Sequence, residues 1–222
     1  MGRPCFKIEL DYPQPLAGVD EAGCAPLAGP VVAAAVILDR QRFPRGIDDS
    51  KNLPIEKREA IHARLVKCAV IGVGIASVEE IDTLNIYHAR MLAMRRAIAG
   101  LSVTPGLALI DGNAKPKDVT CSIRTIVDGD AKCLSIAAAS IVAKVARDAY
   151  MRKLAAEFPG YGWETNVGYG TRDHRHAMLK LGLTPHHRRS FAPVRQLLGL
   201  PLFPDEHVMP DFADDSEPDH WN

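Results

Sequence analysis

The chain has 222 residues, a length that suits one sizeable domain with room for a small appendage. Its hydrophobic content of 47% is ordinary for a soluble globular protein, and no apolar run reaches the roughly 18 residues that cross a bilayer. The amino terminus lacks the apolar core of a signal peptide, and the five cysteines form neither a CxxC pair nor an even set. We therefore expect a cytoplasmic protein with reduced thiols and without a membrane segment, a disulfide framework or a zinc site.

The formal net charge of +0 hides an uneven distribution of charge along the chain. Segment 201–222 has no lysine or arginine, and its seven acids are Asp205, Glu206, Asp211, Asp214, Asp215, Glu217 and Asp219. The other 27 basic and 20 acidic residues give the body a charge of about +7, which suits a polyanionic partner, although solubility alone explains such a balance equally well. The proline and acid content of the segment predicts a disordered tail.

Apolar runs at residues 16–19 and 30–38 predict two strands joined by a tight turn at 23–29. Their Val, Ala and Ile content indicates burial on both faces, as in the centre of a sheet covered by helices. The other predicted strands are 69–76, 107–111 and 122–127. The predicted helical segments are 54–67, 81–99 behind a capping box at Ser77, 131–154, 172–180 and a short turn at 193–198, with a loop at 158–170. This order favours a mixed α/β sheet over a bundle or a sandwich.

Three of the predicted strands end in acids that are followed by glycine or a turn. These acids are Asp20 with Glu21, Asp111, and Asp128 with Asp130. If the strands are neighbours in one sheet, acids at their ends lie within reach of common ions. Oxygen ligands without histidine or cysteine suit Mg²⁺ or Mn²⁺, and two such ions about 3.5–4 Å apart can clamp an in-line phosphodiester displacement. A lone Asp-Gly pair is ordinarily only a turn, so the adjacent Asp20 and Glu21 carry this hypothesis.

Several further motifs occur in a fixed order along the chain. They are Gly18-Val-Asp-Glu-Ala-Gly23, Pro26-Leu-Ala-Gly-Pro30, Asp49-Ser-Lys51, Leu84-Asn-Ile86 with Met91-Leu-Ala-Met94, Ile110-Asp-Gly-Asn113, Ser135-Ile-Ala-Ala-Ala-Ser-Ile-Val-Ala-Lys144 and Arg188-Arg-Ser-Phe191. Together they resemble bacterial ribonuclease HII, of the type 2 ribonuclease H family. The resemblance implies a ribonuclease H-like fold, with a central mixed β-sheet flanked by helices and a small helical C-terminal region. It divides the chain into an N-terminal extension (1–14), a catalytic domain (15–200) and the acidic tail (201–222).

The resemblance also implies an activity and a catalytic centre. Such enzymes are endoribonucleases that hydrolyse the RNA strand of RNA–DNA hybrids and cut 5′ of ribonucleotides embedded in duplex DNA. Two Mg²⁺ or Mn²⁺ ions assist, the ends left are 5′-phosphate and 3′-OH, and the role is removal of RNA primers and misincorporated ribonucleotides. The positions matching the catalytic, metal-binding carboxylates are Asp20, Glu21, Asp111 and Asp130. Asp128 matches none of them and reads as a turn residue, and Asp148 as an ion-pair partner of Lys144 four positions earlier.

One motif departs from the family pattern in the turn after the acidic pair. The family has Gly-Arg-Gly there, which approaches the 2′-OH of the ribonucleotide through backbone groups, whereas this chain has Gly23-Cys24-Ala25. The missing arginine removes a charge-assisted contact worth roughly 1.5–3 kcal/mol if it is made directly, and Ala25 adds a methyl group where a glycine-only conformation is in question. We hypothesise weaker preference for the RNA–DNA junction; the alternative is that neighbouring side chains compensate.

The remaining expected substrate contacts lie elsewhere in the chain. Tyr169, in a Gly-rich loop, matches the family tyrosine that packs on the sugar beside the scissile ribonucleotide. Lys51, Arg188 and Arg189 are expected to be exposed phosphate contacts. His186 and His187 could add positive charge nearby, but nothing identifies either as a general base.

Two other functions remain open at this point. A non-catalytic module could bind RNA–DNA hybrids through a structural metal site, although the presence of all four carboxylates argues against it. A DNA junction endonuclease could share the fold, although the Tyr169 and Arg188-Arg189 matches disfavour it. The expected partner in the favoured reading is an RNA–DNA hybrid or a ribonucleotide-containing DNA duplex, bound by a monomer.

Overall fold

The computed structural model describes residues 3–201, and a five-stranded mixed β-sheet forms their centre. The strands are β1 (Leu16–Ala22), β2 (Val31–Ile37), β3 (Val70–Ala76), β4 (Leu107–Asp111) and β5 (Ser122–Ile126). Their order across the sheet is β3-β2-β1-β4-β5. β1 is antiparallel to β2 and parallel to β4, and β5 is parallel to β4. The carboxyl ends of β1, β4 and β5 therefore meet at one edge of the sheet.

Helices cover both faces of the sheet. They are α1 (Ile55–Cys68), α2 (Val78–Ala99), α3 (Leu134–Glu157), α4 (Trp163–Asn166), α5 (Arg172–Leu181) and α6 (Ala192–Leu197). Helices α1 and α3 pack on one face and α2 on the other, so β2 is buried on both of its sides. The α/β fold expected from the chain is confirmed, and no helix among residues 3–201 is long and apolar enough to span a bilayer.

Strand β1 and helix α3 approach each other unusually closely at Gly18. A Cβ atom at this position would lie 2.1 Å from the carbonyl carbon of Ser135, so the two backbones are in direct contact. The alanines that follow in α3 have side chains small enough to allow this approach, and they are fully buried against β1 and β2. A side chain at position 18 would force the helix away from the sheet.

Helix α2 begins as the sequence predicts but is broken where the sequence predicts continuity. The Ser77 Oγ accepts a hydrogen bond from the Glu80 backbone N–H at 3.1 Å, and the Glu80 carboxylate accepts one from the Ser77 N–H at 2.9 Å, which completes the capping box. The helix then kinks at Asn85, whose φ of 66° and ψ of 166° are not helical. Asn85 Oδ1 accepts from the N–H groups of Tyr87 and His88, so it starts the second half of the helix as a cap.

The segment predicted as a loop at 158–170 is more ordered than expected. It contains the short helix α4, and the indole of Trp163 is fully buried against Tyr161 and Met151. This aromatic cluster forms the core of the small C-terminal helical region. The expectation of a plain loop failed because glycines and aromatics alternate there, which hides the helical turn.

The two ends of the chain bear differently on the predicted domain bounds. The Glu9 side chain is buried, and its Oε1 accepts from the Ser135 N–H at 3.0 Å, so the N-terminal segment packs on the start of α3. The tail predicted to be disordered lies outside the described residues apart from Pro201. The division into extension, domain and tail stays a prediction.

Candidate active site

Three carboxylates meet at the sheet edge where the parallel strands end. Asp20 lies near the end of β1, Asp111 ends β4, and Asp130 lies in a 3₁₀ turn between β5 and α3. Val19 pairs with Ile110 across the sheet, so Asp20 and Asp111 occupy the next, adjacent positions. One oxygen atom from each of these three aspartates lies within 4.8 Å of the others. Alternation along the strands points Asp20 and Asp111 to the α3 face, which is also the face reached by Asp130.

Glu21 points to the opposite face of the sheet because neighbouring side chains on a strand alternate. Its Oε1 lies 3.4 Å from Nη1 of Arg90 on α2 and 3.5 Å from the Sγ of Cys24. Among the described residues, the close cluster therefore contains three of the four carboxylates expected from the sequence, while Glu21 lies beside it with a cation of its own. Its pKa is raised by burial and by Asp111, although Arg90 partly offsets this.

Burial and mutual repulsion make ionisation of the clustered aspartates unfavourable. Burial, together with the charges of Glu21, Asp111 and Asp130, raises the pKa of Asp20 well above its ordinary value. Burial and Asp130 likewise raise the pKa of Asp111, although its Oδ1 accepts a 2.7 Å hydrogen bond from the Gly129 N–H. Like charges at this separation disfavour ionisation of all members unless a cation lies among them. An oxygen-only donor set whose charge is unbalanced fits a hard divalent cation.

One exposed cation, Lys51, lies at the margin of the cluster. Its Nζ is 3.3 Å from Asp130 Oδ2, and 79% of its side chain is exposed. Partial burial alone would lower the pKa of Lys51, but the carboxylates of Asp49, Asp130 and Asp20 outweigh burial and raise it. This ammonium balances only part of the cluster's charge and remains accessible from solvent.

Neither of the two acids that the sequence excluded from the site belongs to the close cluster. Asp128 adopts a left-handed turn with φ of 53°, and its carboxylate lies 3.9 Å from Lys132. Asp148 pairs with Lys144 at 2.8 Å, as expected, and also with Arg58 at 3.4 Å. The interpretation of Asp148 as structural is therefore confirmed.

Arg188 differs most from its expected role. Its side chain is fully buried, and its guanidinium donates to the carbonyl oxygens of Gly23, Cys24, Gly29 and Pro30 at 2.6 to 3.3 Å. Burial and the nearby Arg147 lower its pKa to about 9, so it stays charged at neutral pH. The expectation of an exposed phosphate contact is wrong for Arg188, because its guanidinium is buried and makes four hydrogen bonds to carbonyl oxygens of the turn after the acids. Its neighbour Arg189 is exposed, as expected.

The turn itself shows what the Gly23-Cys24-Ala25 departure changes. Gly23 has φ of 98°, and a Cβ there would lie 2.0 Å from Nε of Arg147, so only glycine fits. Ala25 does not have positive φ, so its methyl group costs no backbone strain. Cys24 turns its thiol inward toward Glu21, and burial with that neighbour raises the pKa of the thiol to about 12.

Tyr169 lies beside this turn with 44% of its surface exposed. Its carbonyl oxygen is 2.9 Å from Nδ1 of His174, whose Nε2 lies 3.0 Å from the Trp163 indole N–H and 3.2 Å from Nε2 of His187. Burial lowers the pKa of His187 to about 4, with a further contribution from His174. The idea that His187 adds positive charge is therefore wrong, because its ring is neutral and packs in the aromatic core.

The sequence analysis missed three residues that shape the site: Arg90, Arg147 and Asp82. Asp82 accepts from the backbone N–H groups of Arg189 and Ser190 at 2.9 Å, which ties α2 to the segment after His187. Arg147 had a usable signal, since it lies four positions from both Ala143 and Met151 on the buried stripe of α3. A lone arginine on such a stripe needs acceptors from elsewhere in the fold.

Comparisons with known proteins agree with this geometry. The family model described as Ribonuclease HII matches residues 17–194. The chain is similar to a Ribonuclease HII from Cereibacter sphaeroides, with 61% identity over 183 residues that cover 82% of this chain and 86% of the relative. Ribonuclease H2 from Pyrococcus horikoshii OT3 has a similar structure, with a TM-score of 0.67, 25% identity and coverage of 82% of this chain and 96% of that chain. Bst ribonuclease HIII in complex with Mn²⁺ has the same fold, with a TM-score of 0.70, 18% identity and coverage of 83% of this chain and 69% of that chain.

Proposed function

The chain belongs to the ribonuclease HII family, and we propose that the four carboxylates at the ends of β1 and β4 and in the turn after β5 form the centre at which it hydrolyses RNA in RNA–DNA hybrids. They are Asp20, Glu21, Asp111 and Asp130. The observation that carries this assignment is the convergence of three of them within 4.8 Å at one edge of the sheet. Family membership shows that the chain is a metal-dependent endoribonuclease. The assignment of these four carboxylates to its catalytic centre is our proposal.

We propose Mg²⁺ or Mn²⁺ as the cofactor, with two ions during catalysis. The oxygen-only donor set and its unbalanced charge support a hard divalent cation, and Mn²⁺ is bound by the fold relative Bst ribonuclease HIII. When bound, such ions lower the pKa of the attacking water and neutralise charge on the phosphodiester, so no histidine base is required. Asp20 is central to the donor set because it is buried between the other acids.

The side chains of the protein would bind the metal ions and contact the substrate. Asp20, Asp111 and Asp130 supply ligand oxygens from the α3 face of the sheet, and Glu21 supplies its carboxylate from the other side, held by Arg90. Lys51 is accessible beside Asp130, so it can contact a phosphate of the RNA strand. The in-line displacement leaves a 3′-OH and a 5′-phosphate.

We further propose that the enzyme cuts 5′ of ribonucleotides embedded in DNA. Tyr169 offers an exposed ring for the sugar, and the Gly23–Ala25 turn lies beside it because Gly168 O accepts from the Leu27 N–H at 2.8 Å. Arg189 is exposed on the same segment as Arg188 and suits a flanking phosphate. These contacts support action on RNA primers and on misincorporated ribonucleotides.

The test incubates the protein with Mg²⁺ or Mn²⁺ and end-labelled duplexes that contain zero, one or four ribonucleotides. We expect cleavage only where ribonucleotides are present, at their 5′ side, with loss of cleavage when a chelator removes the metal. Mass spectrometry of the products checks for 5′-phosphate ends. Equal cutting of the all-DNA duplex would instead favour the junction endonuclease, and retained binding without cutting would favour the binding module.

A further inference from the structure

Two buried guanidinium groups hold the turn that follows the catalytic acids. Arg188 lies beneath it, with Nη2 2.6 Å from Gly23 O, Nη1 2.9 Å from Cys24 O and Nε 2.9 Å from Gly29 O. Neither Arg188 nor Arg147 forms an ion pair with any described carboxylate, although both are almost fully buried. A buried cation without an acid is costly unless backbone oxygens surround it, so the shape of this turn and the charge of Arg188 depend on each other.

Arg147 fixes the far side of the same turn and links it to the Tyr169 loop. Its Nη2 donates to Ala28 O and its Nε to Pro30 O, both at 3.1 Å, and its Nη1 donates to Val167 O at 3.0 Å. Val167 lies two residues before Tyr169. The turn and the tyrosine are therefore held by one guanidinium, and their separation does not depend on side chains at the surface.

The orientation of the carbonyls determines where the neighbouring N–H groups point. In a trans peptide the C=O of one residue and the N–H of the next point in opposite directions. The carbonyls of Gly23 and Cys24 point at Arg188, so the N–H groups of Cys24 and Ala25 point away from it. Neither N–H has an acceptor among residues 3–201, and Ala25 is exposed. Two adjacent outward N–H groups over a buried cation form a site for an electronegative oxygen.

We propose that Arg188 is a positioning residue for substrate choice: by binding the Gly23 and Cys24 carbonyls, it keeps the Cys24 and Ala25 N–H groups pointing outward, in the orientation needed for the backbone contact to the ribonucleotide's sugar that the family already implies for this turn. This inference rests on the proposed function. Discrimination then comes from backbone groups, so it survives the loss of the family arginine at position 24. Arg188 holds the turn because its planar guanidinium donates to several carbonyl oxygens at once, which the single ammonium of a lysine cannot reproduce.

The test measures binding rather than cleavage, in the Asp111→Asn background with Mg²⁺. Fluorescence anisotropy gives the affinity for a duplex with one ribonucleotide and for the same duplex in all-DNA form, and their ratio is the discrimination. We expect Arg188→Lys to lower the ratio about tenfold, the effect of losing one well-made hydrogen bond, while all-DNA affinity stays within about twofold. The matched control is Arg152→Lys, an exposed arginine paired with Glu59, which should leave the ratio unchanged.

A second pair of variants tests the donors without touching the buried arginine. Ala25→Pro removes the N–H group and should lower the discrimination as Arg188→Lys does, whereas Ala25→Ser keeps the N–H and should not. An unchanged ratio in Ala25→Pro, or in a folded Arg188→Lys, overturns the inference. Failure of the unmodified chain to cleave any ribonucleotide-containing duplex would instead overturn the proposed function, so the two failures are distinguishable.

Discussion

The carboxyl of Asp20 has its charge opposed by burial and by three neighbouring acids. Such a group is poorly suited to stabilising a fold, because ionisation of the cluster works against the folded state. The same arrangement is well suited to binding a cation, which converts the repulsion into attraction. In the proposed metal site, the same repulsion that opposes folding without a cation would favour binding of one.

The first prediction concerns Asp111→Asn. The raised pKa of Asp111 means that the folded state binds more protons than the unfolded state just above pH 3.8, so stability falls as the pH rises through that window. In metal-free protein we expect the variant to have a Tm higher by up to about 2 °C at pH 7, because it removes one of the opposed charges while solvent screens part of their repulsion. The gain should shrink toward pH 4, while activity should fall by more than about 10²-fold, since even loss of a group that only supports a metal ligand costs about 10–100-fold. Calorimetry at several pH values checks it; a lower Tm than the unmodified chain would contradict it.

The second prediction concerns the departure in the turn. Cys24→Arg/Ala25→Gly restores the family pattern, and we expect it to raise the preference for a single embedded ribonucleotide by about tenfold, through one added charge-assisted contact. The comparison is the ratio of kcat/KM on one-ribonucleotide and four-ribonucleotide duplexes. The same ratio in both proteins would mean that neighbouring groups already compensate for the missing arginine.

Single residues were predictable where a motif names them and unpredictable where burial decides their role. The four carboxylates follow from strand ends and motif order, but the sequence does not say that Arg188 is enclosed. Its burial depends on carbonyl oxygens from Gly23 to Pro30, which are invisible in side-chain patterns. Charge alone made it look like a surface contact.

At the scale of elements, strand geometry separates the adjacent acids. Asp20 and Glu21 are neighbours in sequence but lie on opposite faces of β1, one toward α3 and the other toward Arg90 on α2. Both helices are therefore needed to complete the site. Apolar runs predicted four of the strands to within one residue of their ends, whereas β1 continues to Ala22, three residues past its predicted end. The kink in α2 was not predictable, since apolar spacing continues through it.

The third prediction concerns the kink. Asn85 adopts a backbone conformation that is essentially restricted to glycine, and its side chain caps the second half of α2. Asn85→Ala keeps the strain that the unmodified chain already has and loses the cap, so we expect a loss of about 1–2 kcal/mol in urea unfolding. Asn85→Gly relieves the strain and should stay within about 1 kcal/mol of the unmodified chain. Equal losses in the two variants would refute the assignment of strain.

At the scale of the whole molecule, charge is divided between a basic body and an acidic segment at 201–222. The composition made a polyanionic partner predictable, and family membership identifies it as an RNA–DNA hybrid. Composition could not show which basic side chains lie on the surface, where they can contact a polyanion. Two of the arginines, Arg147 and Arg188, are enclosed and contribute no surface contact.

The fourth prediction concerns that acidic segment. Truncation after Leu200 should tighten hybrid binding severalfold at low salt, because seven acids no longer compete with the phosphates. The difference should shrink as salt rises, since the Debye length falls from about 10 Å at 0.1 M to about 3 Å at 1 M. Binding isotherms at several salt concentrations measure it, with a full-length Asn/Gln-substituted tail as the control. Identical salt slopes in the two proteins would rule out the competition.

The backbone contact at Gly18 bears on which ions the proposed metal site would accept. Asp20 lies two residues beyond this contact, and Asp130 leads directly into the helix on its other side. Neither support can retreat, because backbone already touches backbone and packed interiors resist compression. If the proposed metal site is correct, we expect this frame to favour Mg²⁺, which takes oxygens at about 2.0–2.1 Å, over Ca²⁺, which needs about 2.3–2.6 Å and more ligands. Gly18 would then influence the ion preference of a proposed site that it does not contact.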